Sequence, residues 1–190
     1  MPVIKFVNEE NKERYDTEES VYNLIYYIFN ECKTTCDDVR PGYAIGDFAG
    51  CSHFFGPEYW QIRPDIVVGQ MIANNCAYGK REFNLLKHRI ISFSNDECVV
   101  PHEALKLAKH IADAYGENYI TAYGIHLDSK SIHIHLAVDC ISWKDGKRFS
   151  VSYEYRWISA MVQGWMAEYF NSLIINPKKN KKCEQYFGLY

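Results

Sequence analysis

The stretch 126-HLDSKSIHIH-135 places three imidazoles, His126, His133 and His135, and the carboxylate of Asp128 within ten residues of a chain that has seven histidines in all. Imidazoles this close can move protons or hold a divalent metal, and their spacing decides between the two. In 132-IHIHLAVDCI-141 the pattern has period two. Ile132, Ile134, Leu136 and Val138 face one side of a strand, and His133, His135, Ala137 and Asp139 face the other. Residues two apart on a strand stand about 6.5 to 7 Å apart at the backbone, so both rings can reach one ion. His126 ends a preceding apolar segment, and 127-LDSKSI-132 has the length of a turn that returns an antiparallel neighbour beside it. Three neutral imidazoles with open positions suit Zn²⁺, Mn²⁺, Ni²⁺ or Co²⁺ and leave room for Lewis-acid chemistry. Asp128 is placed to accept an N–H from one ligand and fix its tautomer. The competing reading is a set of solvated histidines on an exposed sheet face. A third histidine, a nearby carboxylate and apolar residues confined to the opposite face favour the metal. His53, His88, His102 and His110 are read as non-ligands.

The elements that must position these groups follow from periodicity. In 19-ESVYNLIYYIFNE-31, Val21, Leu24, Ile25 and Ile28 recur at helical spacing, with Thr17 or Ser20 as the cap and Tyr27 on the flank of the apolar stripe. Residues 88–94 and 119–126 read as strands. Residues 101–116 read as a helix opened by Pro101 and closed by Gly116, and residues 153–170 as a second helix with Trp157, Met161, Trp165 and Tyr169 along its packing side. Prolines and glycines between Lys33 and Gly79 leave that region unassigned. The order of elements predicts an α+β fold, one domain over residues 1–190 with a mostly antiparallel sheet and helices packed on one face.

Composition narrows the class. A chain of 190 residues with 47% apolar content builds one well-packed domain. It contains no apolar run of membrane-spanning length, and MPVIKFVNEENKE lacks the blocks of a signal peptide, so a cytoplasmic protein without a membrane partner is expected. Seven cysteines without paired CxxC motifs point to reduced thiols. Net charge is −3, with ten acids against five bases in residues 1–50, so any polyanion site is local; 144-KDGKR-148 and 178-KKNKK-182 are the candidate patches.

Taken together, 126-HLD-128, 133-HIH-135 with the apolar strand after it, and 145-DGKRF-149 resemble the third motif of the relaxases, mobilisation nucleases of conjugative elements within the HUH endonucleases. The segment 79-GKREFNLLKHRIISFSNDECVVPHEALKLAKHIAD-113 is similar to the family's strand ending in Ser-Phe-Ser followed by a helix, and 27-YIFNECKT-34 to its first motif. The resemblance covers about residues 20–150. It implies an enzyme that nicks single-stranded DNA at an origin of transfer, for plasmid or mobile-element mobilisation, through a 5′-phosphotyrosine intermediate. Carried over, Tyr27 is the nucleophile with Tyr26 next in line, and His126, His133 and His135 hold the metal. The resemblance favours Mn²⁺ or Mg²⁺, while Zn²⁺, Ni²⁺ and Co²⁺ stay open. Asp128 orients a histidine or assists proton removal, and Lys147 and Arg148 bind DNA. Accessory relaxosome proteins and a coupling protein are the implied partners. Asp139 stands where the family commonly has Asn, and Ser131 where it commonly has His; a carboxylate facing a phosphate is unfavourable unless paired. Two other classes fit parts of the pattern: a non-catalytic single-strand-binding relative, and a replication initiator or transposase of the same superfamily. A small-molecule metallohydrolase is more remote.

Overall fold

The computed structural model describes residues 1–7, 14–34, 49–52, 63–79, 83–127, 131–150 and 152–175. In chain order these form β1 (Val3–Phe6), α1 (Glu18–Ile28), the short α2 (Glu31–Thr34), β2 (Ala49–Ser52), α3 (Pro64–Ala77), β3 (Leu86–Phe93), α4 (Pro101–Gly116), β4 (Thr121–His126), β5 (Ile132–Asp139) and α5 (Glu154–Ile175). The strands make one sheet, ordered β1-β3-β5-β4-β2, and every pairing is antiparallel. The expected α+β class is what is found.

The central position of β5 follows from its sequence, because an alternating strand with apolar residues on one face needs neighbours on both edges and cover on the apolar side. Ile134, Leu136 and Val138 are fully buried beneath α4 and α5, together with Ile91, Phe93 and Ile125 from the flanking strands. Helix α4 contributes Leu107, Ala108, Ile111 and Ala112. On α5 the deepest residues are Ile158, Val162, Met166 and Tyr169; Trp157, Met161 and Trp165 pack at the edge of the core, so the buried stripe is rotated from the expected one.

The long helices therefore lie on one face, as predicted. Helices also occupy part of the other face, which the prediction of one covered face did not contain. Val21, Leu24, Ile25 and Ile28 of α1 and Val67, Val68 and Met71 of α3 form a second core over Leu86, Ala122 and Ala137. The physical reason is the small side chains: Ala122 and Ala137 are cross-strand partners that let two helices settle close to the sheet. Helix α3 lies in the region that periodicity left unassigned, started by Pro64 at its first turn.

One charge cluster fastens α5 to the sheet. Arg89 of β3 is fully buried; its Nε donates to Glu154 Oε1 and its Nη2 to Oε2, each at 2.8 Å. The Tyr115 hydroxyl donates to the same carboxylate at 2.6 Å, and the guanidinium lies over the Phe6 ring at 3.9 Å. Removing one member strands a buried charge. Glu154→Ala is expected to cost about 3–5 kcal/mol in urea unfolding, and the paired change Arg89→Met with Glu154→Leu to recover most of it.

Candidate active site

The antiparallel return of β4 beside β5 puts His126 directly across from His133 and Gly124 across from His135, so all three imidazoles share one face. The ring centroids of His126 and His135 are 4.2 Å apart, and those of His133 and His135 are 6.3 Å apart. His126 and His135 are buried and His133 is half-exposed, which gives the group a closed inner side and an open outer side.

Helix α1 ends against this group. A side chain at Gly124 would place its Cβ 2.3 Å from the Ile28 carbonyl oxygen, so the last turn of α1 can lie on β4 only because residue 124 is glycine. His126 Nε2 then stands 3.3 Å from that carbonyl, where its N–H donates to the end of the helix. The adjacent residue is Tyr27. Its ring makes edge contacts with His126 at 4.8 Å and His135 at 5.3 Å, while its outer side is exposed. Tyr26 points elsewhere and stacks on Tyr22 at 4.0 Å. The structure thus brings Tyr27, and not Tyr26, to the histidines.

Behind His135 lies a chain that the sequence did not reveal. His88 Nε2 is 3.0 Å from His135 Nδ1, and the Tyr15 hydroxyl is 3.1 Å from His88 Nδ1. Burial pushes His88 down to about 4 and His135 down to about 2, with neighbouring positive charge adding to the effect. Both imidazoles are therefore neutral, and one proton lies between them. The tautomer that leaves His135 Nε2 as a ligand nitrogen puts that proton on Nδ1, donated to His88. His88 then turns its Nδ1–H toward Tyr15. His88, expected to be a non-ligand, orients a neighbouring imidazole through this contact. Its period-two position on β3 was visible, but the adjacency of β3 to β5 was not.

Three imidazoles on one face match a divalent ion in donor chemistry and proximity. Among the described residues, however, no set of three His, Cys, Asp or Glu has its donor atoms converged on one ion-sized point. His126 Nε2 faces Ile28, and His133 Nε2 lies 3.5 Å from Ser131 Oγ. Convergence needs side-chain rotation within an assembled backbone site. Asp128 lies outside the described residues.

Asp139 is not at a DNA-facing surface. It is fully buried and accepts from Asn74 Nδ2 at 2.9 Å, Asn75 Nδ2 at 3.0 Å and the Ile141 amide at 2.9 Å. Burial holds its carboxyl up at about 7 against the pull of those donors. The carboxylate in the family's Asn position serves to tie α3 to β5. Lys147 and Arg148 are not brought to the histidines either. Lys147 pairs with Asp145 at 2.7 Å; Arg148 lies over Phe83 at 4.5 Å and donates to the Asn84 carbonyl. Both follow the Asp139 end of β5, which is itself roughly 13 Å along the strand from His135 at ~3.3 Å per residue.

The family model for the MobA/VirD2-like nuclease domain of relaxases matches residues 57–169, more than half the chain and including all three histidines. The chain belongs to that family. Relaxase nuclease domains are DNA-nicking endonucleases, generally dependent on divalent metal, that act on single-stranded DNA at an origin of transfer in conjugation. One solved structure, described as the molecular basis of vancomycin resistance transfer in Staphylococcus aureus, aligns over 98% of this chain and 93% of that chain at 14% identity, with a TM-score of 0.43. No curated protein matches the chain. Among the described residues, no helix is long and apolar enough to cross a membrane, and Cys51 and Cys140 are outside any disulfide.

The buried histidines set a pH dependence. A base whose folded value lies below its unfolded value of about 6.5 stabilises the fold while neutral; that contribution is complete above about 6.5 and is lost as pH falls toward 4. Between pH 6.5 and 4, wild-type stability should fall by up to about 1.4 kcal/mol per pH unit for each such histidine. In urea titrations at successive pH values, His88→Gln should flatten that slope; an unchanged slope would show that His88 does not titrate in this way.

Proposed function

We propose that this chain, as one relaxase domain, nicks single-stranded DNA at an origin of transfer by tyrosine transesterification. Tyr27 is the nucleophile and His126, His133 and His135 hold a divalent metal, most suitably Mn²⁺ or Mg²⁺. The observation that carries this reading is the contact of Tyr27 with two of the three histidines, 4.8 and 5.3 Å between rings. Tyr27 lies outside residues 57–169, so its position is support independent of the family match.

The chemistry follows from what each group can do. His126, His133 and His135 would hold the divalent ion, which when bound would supply Lewis-acid withdrawal of charge from the scissile phosphate. Tyr27 sits on the last turn of α1 with its ring against His126 and His135 and partly exposed, and its hydroxyl is the attacking group. The Oη–P bond forms as the P–O3′ bond breaks, the phenolic proton leaves, and the 3′ oxygen is released as a hydroxyl after gaining one. The phosphodiester energy stays in the 5′-phosphotyrosine link, so the strand can be rejoined. His88 and Tyr15 keep His135 in the tautomer that offers Nε2. Asp128 is the group proposed to orient a histidine or take the phenolic proton. Lys147 and Arg148, at the other end of β5, serve phosphates several nucleotides from the nick.

The test is covalent capture of labelled single-stranded DNA from the chain's own element. Wild type with Mn²⁺ should give an adduct that EDTA prevents. Tyr27→Phe should bind DNA and give none, because it removes only the phenolic oxygen from a helix packed through Val21, Leu24, Ile25 and Ile28. His135→Ala should lower Mn²⁺ affinity at least tenfold by calorimetry. An adduct formed by Tyr27→Phe and lost in Tyr26→Phe would move the nucleophile by one residue, and DNA binding without any adduct would select the non-catalytic class.

A further inference from the structure

The turn that follows β5 is fixed on two sides. Gly146 takes a φ of +66°, and a Cβ there would run into the Tyr78 ring, so the turn lies flat on the residue that caps α3. The Tyr78 hydroxyl donates to the Trp143 carbonyl at 3.1 Å, and the Trp143 indole donates to the Gly116 carbonyl at 3.0 Å. Ile141 and Arg148 then pair across the turn as an isolated antiparallel bridge. From that position Arg148 reaches the segment before β3. Its Nη2 donates to the Asn84 carbonyl at 3.0 Å, and its guanidinium lies over the Phe83 ring, 4.5 Å from the centroid.

Single apolar residues at a surface are ordinary, but Phe83 is held in an unusual way. It is 61% exposed although the guanidinium covers one face of its ring, so the exposure belongs to the opposite face and the edge. A ring pinned from behind and open in front is a platform for another flat group. The surrounding charge decides which kind. In the turn, Lys147 pairs with Asp145 at 2.7 Å, which leaves Lys144 and Arg148 as a local positive excess on a chain of net charge −3. A nucleobase matches both features, since it offers a flat face to the ring and carries a phosphate on either side. We propose that the open face of Phe83 stacks on one nucleobase of the bound single strand, with Arg148 as the positioning residue that holds the ring and Lys144 and Lys147 beside the flanking phosphates. This rests on single-stranded DNA as the substrate class and is independent of which tyrosine attacks. Every base has a π-face, so the contact adds affinity without reading sequence by hydrogen bonds. Its place at the Asp139 end of β5 gives the strand a second fixed point, away from the histidines, that sets which nucleotide reaches them.

The test is reversible binding, with Mn²⁺, of a labelled single-stranded oligonucleotide from the chain's own element whose scissile 3′ oxygen is replaced by methylene. Phe83→Leu removes the π-face and keeps an apolar side chain, and at so exposed a position it should keep the wild-type Tm. It should weaken binding about 5- to 150-fold, the range for one base stacked on an aromatic ring. The slope of log affinity against log salt should not change, because no phosphate contact is lost. Phe83→Trp should bind at least as tightly as wild type. Single abasic sites moved along the oligonucleotide should find one position whose base matters to wild type and not to Phe83→Leu. Arg148→Gln should lose affinity, and lose less in the Phe83→Leu background, since part of its effect passes through the ring. Unchanged affinity in Phe83→Leu overturns the proposal and turns the exposed ring over to a protein contact. An abasic profile that Phe83→Leu shares with wild type overturns it too. If wild type binds in this manner but gives no covalent adduct with cleavable DNA, the nuclease reading fails and the stacking contact stands.

Discussion

The pleat of β5 is the constraint on which the rest depends. One side of the strand carries Ile132, Ile134, Leu136 and Val138 and must be buried, which fixes α4 and α5 beneath it. The pleat then obliges His133 and His135 to the other side. A register slip of one residue would bury imidazoles among aliphatic side chains and expose the core, so register is enforced by most of the hydrophobic energy of the domain. The histidines are positioned by a core on the opposite face of their strand.

On the histidine side the strand is divided along its length. Toward Asp139, Ala137 and Ala122 are small enough for α1 and α3 to cover the sheet, and Asn74 and Asn75 of α3 anchor on Asp139. Toward His133 that cover stops where α1 ends on Gly124. The ending brings the Ile28 carbonyl to His126 and the Tyr27 ring to both His126 and His135. The packing edge of one small core is thus also the edge of the histidine group. A change that lifts α1 by an ångström would move the Tyr27 ring away from His126 and His135 while leaving the larger core intact.

Polar groups buried within the domain act as fasteners between elements. Arg89 with Glu154 joins β3 to α5, Asp139 joins β5 to α3, and the Tyr15–His88–His135 chain joins the segment before α1 to the centre of the sheet. The last of these also commits the Nδ1 nitrogen of His135 to His88. Tyr15 is held in place by its backbone, accepting from the Leu85 amide at 2.6 Å and donating to Asn84. The segment before the helix that carries Tyr27 and the strand that carries His88 are therefore one connected unit.

The sequence by itself determined the elements that carry the chemistry. Period two placed His133 and His135 on one face, the 127–132 spacer returned His126 beside them, and helical spacing of Val21, Leu24, Ile25 and Ile28 put Tyr27 on the flank of an amphipathic helix. These are local properties, set by backbone geometry within one or two elements. Only the tertiary structure decided what depends on residues far apart in the chain: β3 beside β5, which brings His88 to His135; α1 ending on Gly124, which separates Tyr27 from Tyr26; and Asp139 turned into α3 instead of toward DNA. It also moved Lys147 and Arg148 to the far end of β5. None of these is encoded as a spacing. Each is the outcome of which faces could be buried together, and that is a property of the whole core.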